Sequence, residues 1–165
     1  MTSGRSDTLT KTWTVTVPTR GDADGIAHPI HDCGLFSLGE AEGFVSMLPD
    51  LLADPGARWL SIAQGGRIVG AAYLSLERMS EDVWNLWFIG LARAVRGRGG
   101  GSALLAAAER TAKGEGGRLL LVETSSGEAL EGARAFYAAR GYDREGAIRD
   151  YYAPGEDKVI FRKGL

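Results

Sequence analysis

The order of apolar and polar positions divides the chain into strands and helices before any composition is weighed. TWTVTV, residues 12–17, alternates Thr with Trp and Val, which predicts a first strand with one buried face, stopped by Pro18. Asp22 and Asp24 open a short helix. Ser37 with Glu40 three residues on forms a capping box that starts a second helix, in which Phe44, Leu48, Leu51 and Leu52 recur at helical spacing. Gly43 and Pro49 mark places where that helix bends or breaks. RWLSIAQGGRIVGAAYLSL holds two apolar runs joined by Gly65-Gly66, residues that accept the positive φ of a tight hairpin turn. VWNLWFIGLAR, residues 83–93, is apolar at nearly every position, as a central strand covered on both faces must be. RLLLVETS, residues 118–125, repeats that character. The helical run between these two makes a strand, crossover helix, strand unit. Ser125 and Glu128 predict a further capped helix, with Leu130, Ala133, Phe136 and Tyr137 on one face and Gly141 ending it. VIFRK, residues 159–163, closes the chain as a last strand.

The 165 residues and 44% apolar content fit one domain over residues 11–165, preceded by a polar, disordered tail over residues 1–10. A net charge of −2 excludes a generally basic, nucleic-acid-coating surface, so the predicted partners exclude nucleic acid. Apolar runs of membrane-spanning length are missing from the pattern, so no membrane is predicted as a partner. A single cysteine, Cys33, excludes an internal disulfide and agrees with a cytoplasmic setting. HPIHDC, residues 28–33, gathers both histidines and that cysteine. Three ligand candidates, with His31 and Cys33 on different helix faces, fall short of a structural metal site; no metal is predicted, and the segment reads as a surface loop.

The distinctive stretch is VRGRGGGSALLAAAER, residues 95–110, a Gly-rich turn before a helix. A helix N-terminus presents unpaired N–H groups and the positive end of the dipole, and glycines let an anion approach them closely. Counted from Gly97, a nucleoside-triphosphate loop of the form GxxxxGK would need Gly where Ser102 stands, followed by a Lys that is missing. The dinucleotide pattern GxGxxG begins with Gly97 and Gly99 and also fails at Ser102. The spacing that fits is Arg96, Gly99, Gly101. It resembles motif A of the GNAT superfamily of N-acetyltransferases. The preceding IGLARAV, the following SALL, ETSS, ARAFYAARGY and the YYAPGEDKVIFRK ending are similar to members of that superfamily in order, over about residues 12 to 163.

The resemblance implies an α/β GNAT fold, with a mixed, mostly antiparallel sheet of six or seven strands flanked by helices. It implies acetyl-CoA as co-substrate and an amine acceptor, small molecule or protein; pairing into a homodimer is compatible with it. It places Arg96, Gly97, Arg98, Gly99, Gly100, Gly101 and Ser102 around the pyrophosphate, and the main chain of Leu91 and Arg93 against the pantetheine arm. Gly90 then marks either a bulge in that strand or relief of crowding near Trp87. Tyr137 occupies the position of the acid that protonates the departing thiolate, or is a core tyrosine. Leu130 stands where members often carry Asn.

An alkylamine of pKa near 10.4 is neutral in only about one molecule in a thousand at pH 7, a handicap of roughly 4 to 5 kcal/mol. Members often meet it with a Glu on the central strand. Asn85 stands on that strand here, suited to orienting water, so Glu123 on the next strand is the candidate base, a salt bridge being its other reading. Phe36, Glu40, Asp150, Tyr151 and Tyr152 are placed around the acceptor. A non-catalytic acyl-CoA-binding module and a nucleotide-binding protein are the competing functional readings.

Overall fold

A computed structural model describes residues 12–165; the tail assigned to residues 1–10 lies outside the described residues. Seven strands form one sheet. In chain order they are β1 (Val15–Thr16), β2 (Ala57–Gln64), β3 (Arg67–Leu76), β4 (Val83–Leu91), β5 (Leu119–Ser125), β6 (Asp143–Ala153) and β7 (Glu156–Gly164). The helices are α1 (Ala23–Asp32), α2 (Leu38–Ala53), α3 (Gly100–Gly114) and α4 (Glu131–Ala138). The spatial order is β1-β2-β3-β4-β5-β7-β6, and β4–β5 is the parallel pair in an otherwise antiparallel sheet.

Two cores cover the two faces. Trp13, Leu60, Ile62, Leu74, Trp84 and Leu86 pack with Leu104, Leu105 and Ala108 of α3 on one side. Trp59, Ala71 and Phe88 pack with Ile26 and Ile30 of α1 and Leu48 of α2 on the other. The helices form for local reasons as well. The Ser37 hydroxyl accepts from the Glu40 amide while Glu40 Oε2 accepts from the Ser37 amide at 2.8 Å, the reciprocal capping box that starts α2. Neither Gly43 nor Pro49 breaks that helix.

Several elements differ from the pattern-based expectation. The first strand shrinks to two residues, because Trp13 turns inward and its indole N–H donates to the Arg98 carbonyl at 2.7 Å. The segment holding His28, His31 and Cys33 is helical, not a loop: Pro29 and Ile30 are buried in α1, and Cys33 follows its last turn, 1% exposed. Ser125 does not cap α4; its Oγ accepts from the Gly127 amide and donates to Glu156, and a 3-10 turn, Glu128–Leu130, precedes the helix. β6, the seventh strand of the sheet, falls where the hydrophobic pattern marks none. It is exposed along its whole length, so it carries no buried-face alternation to read.

The fold's central irregularity lies in β4. Tyr73 of β3 pairs with Phe88 and Leu74 with Leu86, leaving Trp87 as the extra residue of a bulge. The bulge is therefore not at Gly90. A Cβ there would stand 2.6 Å from Phe88 Cζ and 3.2 Å from Cys33 Cβ, so Gly90 makes room for α1 and the Phe88 ring.

Candidate active site

β4 and β5 pair only from Val83–Leu119 to Leu86–Val122. Beyond Leu86 they diverge, while β4 stays paired with β3 and β5 with β7. Among the described residues, the edge of β4 from Trp87 to Leu91 that faces β5 has no strand partner, and a cavity of about 960 Å³ opens in the gap. That volume lies at the upper end of the roughly 300–1,000 Å³ usual for small-molecule sites.

One end of the cavity is the N-terminus of α3. Gly97 (φ 70°) and Gly99 (φ 82°) hold the left-handed conformation that lets the chain turn into the helix, and a Cβ on either would meet no atom within 4 Å. Gly100 is different: a Cβ there would come within 2.8 Å of Ile62 Cδ1, so its bareness serves helix-to-sheet packing. Gly97 and Gly99 thus put no side chain into the open space just ahead of the helix. Arg96, Gly97, Gly99, Gly100, Gly101 and Ser102 all line the cavity, as does Leu91. Arg98 does not; its carbonyl is engaged by Trp13.

Two expected contacts are already occupied by the protein. The Arg93 amide donates to Asp32 Oδ2 at 2.7 Å, which ties the end of β4 to α1 and leaves that N–H unavailable to a ligand. The Arg96 guanidinium donates to the Cys33 carbonyl, pinning the loop after α1 across the cavity wall. Arg140, which the pattern did not single out, faces the same end: its guanidinium lies 3.7 Å over the Phe136 ring and donates to Ser102 Oγ. Its signal in the sequence was a charged residue one helical turn beyond Phe136, at the helix end marked by Gly141.

The middle of the cavity meets Tyr137. The residue is 5% exposed, packed against Phe136, Tyr142 and Phe161, and among the described residues its hydroxyl has no hydrogen-bond partner. Burial pushes its phenol well above the ordinary tyrosine value, so it is a proton carrier at all physiological pH.

Carboxylates gather on the other side. Glu123 lines the cavity and is ion-paired with Lys158, Nζ to Oε2 2.6 Å. Glu156 also lines it and accepts from Ser125 Oγ. Glu40 and Phe36 reach it from α2 and the segment before, with Glu40 held as the capping partner of Ser37, whose side-chain and backbone hydrogen bonds keep its carboxyl below the usual range. Tyr152 lines the cavity from β6, its phenol pushed up chiefly by burial.

Asn85 and Asp150 lie elsewhere. Asn85 is fully buried and its amide donates to Glu77 Oε1 at 2.7 Å, so it is a structural residue that does not line the cavity. Asp150 shapes the β6–β7 hairpin: at φ 53° it accepts from the Gly155 amide and its own amide donates to Asp157. Tyr151 sits beside the cavity with its ring 3.8 Å from Lys158 Nζ. No group of three or more His, Cys, Asp or Glu able to hold a metal occurs among the described residues.

A family model described as the acetyltransferase (GNAT) family matches residues 28–142. No curated protein matches the sequence. Among solved structures, a putative acetyltransferase of the GNAT family from Desulfovibrio desulfuricans is 25% identical, with a TM-score of 0.86 over 93% of this chain and 99% of that one. The ribosomal-protein-S18-alanine N-acetyltransferase of Escherichia coli is 19% identical, TM-score 0.76, covering 93% and 94%. The PaiA N-acetyltransferase of Thermoplasma acidophilum, solved in complex with coenzyme A, is 13% identical, TM-score 0.73, covering 94% and 100%. The last two likenesses concern the fold.

Proposed function

The chain belongs to the acetyltransferase (GNAT) family, and from that premise we propose that it is an acetyl-CoA-dependent N-acetyltransferase acting on a primary amine by direct transfer in a ternary complex. The observation that carries the reading is the wedge between β4 and β5, which joins a bare helix N-terminus, an unpaired strand edge and an unpartnered tyrosine hydroxyl in one cavity.

These residues fit acetyl-CoA by their own chemistry. Gly97 and Gly99 place no side chain at the start of α3, where a helix N-terminus favours an anion, and Arg96, Arg140 and Ser102 add positive charge and a donor, a set suited to pyrophosphate. The open edge of β4 from Trp87 to Leu91 suits the amide-bearing pantetheine arm by strand-like pairing. When bound, acetyl-CoA supplies the thioester acyl group and leaves as the thiol.

Tyr137 holds the proton that the departing sulfur takes up. Its raised pKa keeps that proton in place at neutral pH, and its lack of a protein partner leaves the hydroxyl free for the cavity. Glu123 receives a proton from the acceptor ammonium, which frees the nitrogen lone pair. The carboxylates Glu40, Glu123 and Glu156 give that side of the cavity a negative character that favours a cationic amine. The acceptor is a small molecule or a protein amine.

Incubation with acetyl-CoA and a panel of amines (aminoglycosides, polyamines, amino acids, peptides with free N-termini) and a free-thiol readout tests the proposal. Calorimetry against acetyl-CoA, ATP and NAD runs beside it. Thiol release that depends on one class of amine supports the reading. Tight acetyl-CoA binding with no turnover on any amine would replace it by an acyl-CoA-binding module, and preference for ATP or NAD would overturn it.

A further inference from the structure

Glu123 does not meet the cavity alone. β7 places Lys158 opposite Ser125 in register, and from there its ammonium reaches Glu123 Oε2 at 2.6 Å. Both side chains are largely withdrawn from solvent, 12% exposed for Lys158 and 22% for Glu123. The ammonium also lies 3.8 Å over the Tyr151 ring, so the lysine head is held between β5 and β6. Burial opposes charge on Lys158, but its hydrogen bonds and charge interactions with Glu123 and Tyr151 together more than reverse this and hold its pKa above the ordinary lysine value.

The other ionisable groups nearby are otherwise engaged. Glu156 is bonded to the Ser125 hydroxyl, and the Arg134 guanidinium of α4 is spent on the carbonyls of Ser125 and Gly127. Tyr152 and Tyr137 also line the cavity, and burial raises the phenol of each.

A carboxylate in a half-dry cavity has two ways to fail as a proton acceptor. It takes up a proton too early, because burial disfavours its charge, or it rotates out of line. A fixed cation on one oxygen prevents both. We propose that Lys158 is a positioning residue for acetyl transfer, which clamps Glu123 through Oε2 and leaves Oε1 for the ammonium of the acceptor. This rests on the acetyltransferase reading above. In the step itself the first ammonium proton passes to Glu123 Oε1 and on to solvent, the nitrogen lone pair forms the N–C bond, the C–S bond breaks, the sulfur takes its proton from Tyr137, and the second nitrogen proton leaves to give the neutral amide and returns through water to the Tyr137 oxygen. Lys158 neither gives nor takes a proton.

The test compares wild type with Lys158→Met and Lys158→Arg, using two readouts. One is the pH titration of the Glu123 side-chain carboxyl carbon by NMR, which needs no acceptor. The other is the pH profile of kcat/KM with the best amine of the panel. In Lys158→Met the Glu123 midpoint rises, as expected when a cation in contact is removed. The acidic limb of kcat/KM moves up with it, and Lys158→Arg restores both. An unmoved Glu123 midpoint overturns the inference by itself, even if no amine is turned over. A midpoint that moves while the acidic limb stays overturns the catalytic part. Should Lys158→Met fail to fold, Lys158→Gln, which keeps a donor without the charge, carries the same readouts. Wild type that binds no acetyl-CoA and acetylates no amine would instead refute the acetyltransferase reading.

Discussion

Gly99→Ala separates a turn that merely bends from a turn that holds an anion. Residue 99 caps α3 at φ 82°, and an added Cβ would meet nothing within 4 Å. No steric clash therefore contributes, and the cost to folding is conformational. The left-handed region costs a non-glycine residue roughly 1–2 kcal/mol. Reduced freedom of the unfolded chain returns about 0.4–1 kcal/mol of this. The net loss is about 1 kcal/mol, or about 2–4 °C in Tm for a chain of this size. Binding should suffer more. The new methyl stands in the open space before the α3 amides, and losing one N–H bond to a charged phosphate oxygen costs about 1.5–3 kcal/mol. At 1.4 kcal/mol per factor of ten, acetyl-CoA affinity falls by about tenfold to a hundredfold or slightly more. Urea melts and calorimetry with acetyl-CoA on the same preparation give both numbers. Gly101→Ala is the internal control for stability: its Cβ would sit 3.5 Å from the Phe136 ring, an ordinary contact, and its φ is not positive, so stability holds or rises slightly. A Gly99→Ala protein that loses its 1 kcal/mol yet binds acetyl-CoA with wild-type affinity would refute the anion-site argument.

Three further variants probe other parts of the site. Tyr137→Phe removes a hydroxyl with no protein partner, so Tm should stay within about 2 °C while kcat falls by about 10² or more, the usual worth of a general acid; undiminished turnover removes the acid assignment. The raised pKa adds a sign: Tyr137 keeps its proton beyond pH 10, so any alkaline decline below that pH must survive in pH profiles of Tyr137→Phe run at its residual rate. Arg140→Gln should weaken acetyl-CoA binding by about tenfold and flatten its salt dependence, because a charge-assisted contact of about 1.5 kcal/mol is lost; calorimetry at two ionic strengths that finds no change refutes it. Asn85→Ala should cost about 1–3 kcal/mol of stability by stripping Glu77 of its buried donor, with KM unchanged for both substrates; a raised amine KM at intact stability would return Asn85 to the acceptor site.

How far these residues could be read in advance depended on whether their role was local. The capping box of Ser37 and Glu40 and the Gly65-Gly66 turn are fixed by neighbours a few residues away, so spacing alone located them. The α3 turn was legible for the same reason, since its glycines act through their own backbone angles. Partnerships that cross the sheet left no such trace. Lys158 meets Glu123 through a strand pairing, Arg93 loses its amide to Asp32 of α1, and Asn85 turns to Glu77 across a β3–β4 hairpin. Each residue type kept its chemistry, but its partner decided whether that chemistry was free for a ligand. β6 was missed for a different reason. A strand exposed on both faces has no period-two hydrophobicity, and Gly146 with its charged neighbours reads as loop.

The bulge at Trp87 explains why the cavity exists where it does. In a regular strand Leu86 and Phe88 would share a face. Here Leu86 packs in the core under α3 and Phe88 in the core under α1 and α2, because the extra residue between them shifts the alternation by one. After the slip, Ile89 and Leu91 return to the α3 side, while Gly90 falls on the Phe88 side against Cys33. A strand apolar at almost every position conceals such a slip, since both phases look buried. Trp87 itself is turned out, 49% exposed, with its indole N–H held by Ser75 Oγ at 2.9 Å. Pairing with β5 ends at Leu86, the residue before the bulge. A bulge also increases local twist, so a slip whose side-chain effects divide two cores releases the β4 edge from β5 at the same point. The wedge is thus a consequence of one additional residue in β4, and the glycine three places later accommodates that slip without causing it.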